Sequence, residues 1–137
     1  MGRRPRQSAV VAIFGIFSGF WLSYAALLLG LAHGWWGVTK AGTVHTVAAF
    51  LISWLIIVGV LTLGSLRLPS AFTLIFALID LALILVLVST INGSSGLAKA
   101  GGIVVFAFAA VGVYVFAGSL SVATGGKPFP LGRPVVT

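Results

Sequence analysis

Asp80 is the single acidic residue of this chain, and it falls near the middle of a long apolar run. A carboxyl in hydrocarbon is expensive, so intramembrane acids face a partner, a water-filled path or a proton route. Desolvation favours its neutral form, and no basic residue inside another apolar run is available to pair with it. Two roles stay open for Asp80: a proton-binding or pore-facing group, or a protonated acid hydrogen-bonded to a nearby Ser, Thr or Tyr. A second chemical feature is the stretch GFWLSYAALLLG at residues 19–30, where rings and hydroxyls interrupt plain hydrophobes. On a helix Phe20 and Tyr24 stand at i, i+4 and share a face, with Ser23 three residues from Phe20 on the same side. Trp21 points about 100° away and is free to pack on a neighbouring helix. From spacing alone this face is either a core-packing stripe or the lining of a polar seam.

Other chemistry is sparse. His33 and His45 flank a loop that also holds Lys40, and with Lys99 they make one mouth of the molecule mildly positive. Ordinary interfacial anchoring accounts for them better, and two histidines without an intramembrane carboxylate cluster do not make a metal site. The chain has no cysteine, which removes disulfides and cysteine-based redox or metal sites. No nucleophile–base arrangement, phosphate-cradling loop or dinucleotide fingerprint occurs. Neither enzyme activity nor a cofactor is expected.

The elements that carry these residues follow from composition. Of 137 residues, 60% are hydrophobic and 7% charged, against about 25% charged in soluble domains. A chain this short cannot hide that much apolar surface in one aqueous core. The net charge of +7 is not a nucleic-acid signature, because the cations sit at the ends of apolar runs rather than on one surface. The expected partner is the lipid bilayer, and nucleic acid is not expected. Four runs reach the roughly 20 residues needed to span it, at about 8–32, 45–66, 70–91 and 100–122. Each must be helical, since irregular backbone in hydrocarbon leaves amides unpaired. The fold class is therefore an all-α membrane protein with four transmembrane helices. Residues 1–7 form a basic N-terminus, residues 8–122 the membrane domain, and residues 123–137 a tail. The first run is too long for a signal peptide and lacks a clear cleavage site, so it is read as a retained helix.

Orientation follows from the cations. With the N-terminus inside, Arg3, Arg4, Arg6, Arg67, Lys127 and Arg133 face the cytoplasm, and Lys40 and Lys99 face out. The positive-inside rule then puts both termini in the cytoplasm, with Trp35 and Trp36 at the outer interface. Gly15 and Gly19 form one G-x-x-x-G and Gly30 and Gly34 another, a spacing that permits close helix packing.

The segment FWLSYAALL at residues 20–28 resembles the signature of the acetate uptake transporter family, also called the succinate–acetate transporters. LTLGSLRLPSAF at 61–72 is similar to the end of a family helix and its following turn. STING at 89–93, GVYVFAG at 112–118 and KPFPLGRP at 127–134 resemble later family segments in the same order. The resemblance covers roughly residues 15–134 and corresponds to the last four of the family's six helices. The family's Asn-Pro-Ala-Pro-Leu-Gly-Leu motif has no counterpart here. FPLG at 129–132 shares letters with it but lies in the tail.

The resemblance implies passage of acetate or similar small carboxylate anions across the plasma membrane, with or without proton coupling. It also implies assembly as a homo-oligomer, a hexamer in the family. It assigns Phe20, Ser23 and Tyr24 to the substrate path and adds Leu66, which matches a pore-facing position. An anion crosses such a constriction after partial dehydration, flanked by hydroxyl donors. The alternative is a non-transporting membrane protein, or a truncated relative that serves only as a packing or assembly partner.

Overall fold

The computed structural model describes the backbone of residues 5–136 and the side chains of residues 11–136. The basic cations expected of residues 1–7 lie outside the described side chains. Four helices follow in chain order: α1 (Pro5–Ala32), α2 (Lys40–Ser65), α3 (Ser70–Asn92) and α4 (Ser95–Ala123). Each contains a segment long and apolar enough to cross a membrane. The helices expected at 45 and 100 begin earlier, at Lys40 and Ser95. The reason is local: Thr39 and Ser94 stand at the helix starts and accept, through their hydroxyls, the N–H of Gly42 at 3.2 Å and of Leu97 at 3.4 Å. Short hydroxyl side chains at that position satisfy orphan amides that would otherwise fray the first turn.

The chain divides into two compact units, residues 1–47 and 48–137. In the first, α1 leads into a tight aromatic turn. The Trp35 N–H donates to the Gly30 carbonyl at 2.9 Å, and the Trp36 indole lies over Gly30 so closely that a Cβ there would collide with it. His33 stacks on Trp35 with ring centroids 5.4 Å apart, and its Nδ1 lies 2.9 Å from the Leu29 carbonyl. Trp35 and Trp36 are both exposed, as suits indole rings at a membrane interface.

In the second unit, α3 packs between the part of α2 it contains and α4. The buried residues of α2 there are Leu51, Val58 and Ser65, seven residues apart and so on one stripe. On α3 the buried face is Phe72, Phe76, Ile79, Ala82 and Leu83. Facing it, α4 buries Gly101, Val115 and Gly118. A Cβ on Gly101 would come within 3.0 Å of Val86, so the small residue sets how closely α4 approaches α3. Pro69 ends the α2–α3 turn with φ −50° and ψ 140°, an extended geometry its ring favours. Large apolar side chains such as Leu63, Ile103 and Phe106 point outward, which a bilayer tolerates and water does not.

The segment after α4 departs from a free tail. It folds back: the Ala71 N–H donates to the Leu131 carbonyl at 3.0 Å, and the Val135 and Val136 N–H groups donate to the Leu66 carbonyl at 3.1 and 3.0 Å. Gly132 makes this return possible. Its φ is +79°, and any Cβ would run into the Ser70 side chain.

Candidate functional site

The site residues fall into two groups, one in each unit. The first is the aromatic face of α1. Phe20 is 6% exposed. Tyr24, one turn on, stacks against it with centroids 5.7 Å apart and planes 12° apart. Trp21 meets Phe20 edge-on at 5.1 Å. Trp21 stays largely on the outer side, 43% exposed where Phe20 is buried, while the edge of its indole still reaches the Phe20 ring. Ser23 is exposed, and its hydroxyl donates back into its own helix, with the Gly19 and Phe20 carbonyls at 2.7 and 3.0 Å. At i+3 and i+4, Ser23 and Tyr24 diverge to opposite sides of Phe20. The structure thus brings Phe20 and Tyr24 together with Trp21, and leaves Ser23 at the margin.

The second group is a polar seam between α2 and α3. Asp80 Oδ2 lies 2.5 Å from the Thr62 hydroxyl, and the same hydroxyl lies 2.9 Å from the Val58 carbonyl. A hydroxyl has one proton to donate. Its proton is therefore shared between the Asp80 carboxyl oxygen and the Val58 carbonyl, and the hydroxyl links α3 to α2. Asp80 Oδ1 is buried and has no hydrogen-bond partner among the described residues, which leaves a polar atom unmatched in this seam. Nearer the turn, Ser65 is almost fully buried. Its hydroxyl lies 2.7 Å from the Thr62 carbonyl and 3.4 Å from the Thr73 hydroxyl. Thr73 in turn donates to the Ser65 carbonyl at 2.9 Å.

Of the sequence-predicted residues, Asp80 sits in this seam and Leu66 stands just beyond α2, at the turn that closes it. Leu66 acts there through its backbone, as the acceptor for Val135 and Val136. Thr62, Ser65 and Thr73 were not singled out by sequence reasoning. Their signal was available in outline: folding the chain about the short RLP turn sets Ser65 opposite Thr73 and brings Thr62 toward the turn of α3 that holds Asp80.

Four spanning helices, an aromatic cluster and a lone intramembrane acid describe a membrane protein. A family model described as the GPR1/FUN34/yaaH family matches residues 9–126. The chain belongs to the GPR1/FUN34/yaaH family. This is the acetate uptake transporter family, whose members are membrane transporters and channels rather than enzymes. No curated protein and no solved structure matches the chain. Family membership agrees with the resemblance carried by FWLSYAALL and places the α1 aromatic face and the Thr62–Asp80 seam inside the matched region.

Proposed function

We propose that this chain carries acetate or a similar small carboxylate anion across the plasma membrane. The observation that carries the reading is the family match over residues 9–126, on a chain with four membrane-spanning helices. The α1 face supplies suitable chemistry. Aromatic ring edges carry the positive end of the ring quadrupole. The stacked Phe20 and Tyr24 therefore offer an anion an apolar surface with favourable edges as it loses water. Phe20 and Tyr24 are the principal path residues of this reading; Ser23 and Leu66 are secondary. Asp80, hydrogen-bonded by Thr62, is the one acid of the chain, and it gives the transport its proton coupling. Both termini face the cytoplasm, in keeping with the cation distribution, and the protein works as a homo-oligomer, a hexamer as in its family.

The test is uptake of labelled acetate into liposomes containing the purified chain, beside Phe20→Ala and Tyr24→Ala. Uptake above empty liposomes that drops in both variants supports the reading. Uptake equal to empty liposomes, or indifferent to both changes, refutes it and favours a packing or assembly partner.

A further inference from the structure

Residues 127–136, beyond the family-matched region, return along the molecule instead of leaving it. Ser121 Oγ donates to the Lys127 carbonyl at 3.0 Å. The Tyr114 hydroxyl donates to the Pro130 carbonyl at 3.0 Å, and the Tyr114 and Phe129 rings lie 5.4 Å apart. Phe129 also rests on Gly118, where a Cβ would come within 3.0 Å of it. Tyr114 precedes the last residue of α4, Ala123, by nine positions, or about 13 Å at 1.5 Å per residue. The segment therefore runs back beside the last turns of α4, its residues exposed apart from the half-buried Leu131, before turning at Gly132 and ending on the α2–α3 turn.

Its chemistry suits that course. Backbone away from water must have its polar groups satisfied. Pro128, Pro130 and Pro134 have no N–H to satisfy. The carbonyls of Lys127 and Pro130 are taken by the hydroxyls of α4 just described, and that of Leu131 by the Ala71 N–H and by Ser70 Oγ at 3.4 Å. The Val135 and Val136 amides close on Leu66, the residue after the buried Ser65. Ser65 and Thr73 are the turn-side end of the seam that leads to Asp80.

We propose that residues 127–136 are a re-entrant strap that seals the Ser65–Thr73 end of the seam, and that release of the strap admits water toward Asp80. The natural absence of cysteine makes the test direct. Single cysteines at Lys127 and Ser65 of the full chain in liposomes are exposed to a membrane-impermeant maleimide from the side of the tail. A seated strap makes S65C react at least about tenfold more slowly than K127C, since Ser65 is buried and its reaction requires local opening. Gly118→Leu, which leaves no room for Phe129, and Tyr114→Phe, which deletes only the hydroxyl that holds Pro130, both raise the S65C rate several-fold. The milder Tyr114→Phe carries the test if Gly118→Leu fails to fold. S65C reacting as fast as K127C overturns the seal, and an S65C rate unmoved by Tyr114→Phe overturns the strap's part in it.

Discussion

Removing the Thr62 hydroxyl by Thr62→Val keeps the shape of the side chain and deletes one atom's chemistry. In the native structure that hydroxyl is the only described partner of the Asp80 carboxyl, at 2.5 Å, and Asp80 Oδ1 already has none. The Val58 carbonyl loses little, because it also serves the ordinary helical hydrogen bond. The cost is therefore that of stranding the second carboxyl oxygen. Leaving a buried polar group unmatched costs about 1–3 kcal/mol in general. Interhelical hydrogen bonds measured in membranes average about 0.6 and reach about 1.7 kcal/mol. A short bond to a carboxyl with no alternative partner belongs at the upper end, so Thr62→Val is expected to destabilise by about 1–1.7 kcal/mol. Detergent-titrated unfolding of Thr62→Val, Asp80→Ala and the double variant gives the coupling energy directly. Thr62→Ser restores stability, since it keeps the donor. Asp80→Asn keeps an oxygen that accepts the Thr62 hydroxyl, so it is expected to cost less than Asp80→Ala. A coupling energy near zero, or Asp80→Asn as damaging as Asp80→Ala, refutes the Asp80–Thr62 bond.

Three further outcomes follow from the same geometry. Asp80→Asn is expected to alter the pH dependence of acetate uptake into liposomes, and a pH profile identical to that of the unsubstituted chain removes Asp80 from proton coupling. Ser23→Ala is expected to change stability by no more than about 0.5 kcal/mol, as for an exposed position, and to retain most acetate uptake, because the hydroxyl is already committed to the Gly19 and Phe20 carbonyls. Gly132→Ala is expected to destabilise by at least about 1–2 kcal/mol, the cost of a left-handed conformation for a residue with a Cβ, and thermal unfolding of the two proteins measures it.

The four helices were legible in the sequence because hydrocarbon thickness fixes both their length and their composition. Their starts were less so. The turn before Lys40 carries two glycines and two tryptophans and that before Ser95 reads Asn-Gly-Ser, and hydropathy does not register the hydroxyl caps Thr39 and Ser94 that extend α2 and α4. Asp80 stood out as the only acid, but its partner Thr62 depends on how two helices meet across the RLP turn, which no single-helix pattern contains. Spacing placed Phe20 and Tyr24 on one face correctly, while it does not show that the Ser23 hydroxyl bonds back to its own helix, as short polar side chains in helices do. The return of residues 127–136 was illegible for a plainer reason. The strap is held chiefly through backbone carbonyls and amides, and those are the same in every sequence.

Labelled acetate flux into liposomes that hold this chain as their only protein tests the central claim most directly. The account predicts uptake that saturates with acetate concentration, is inhibited by excess unlabelled acetate, and falls when Phe20 and Tyr24 are both replaced by alanine. Flux that matches protein-free liposomes, or that rises linearly without saturation or competition, contradicts it.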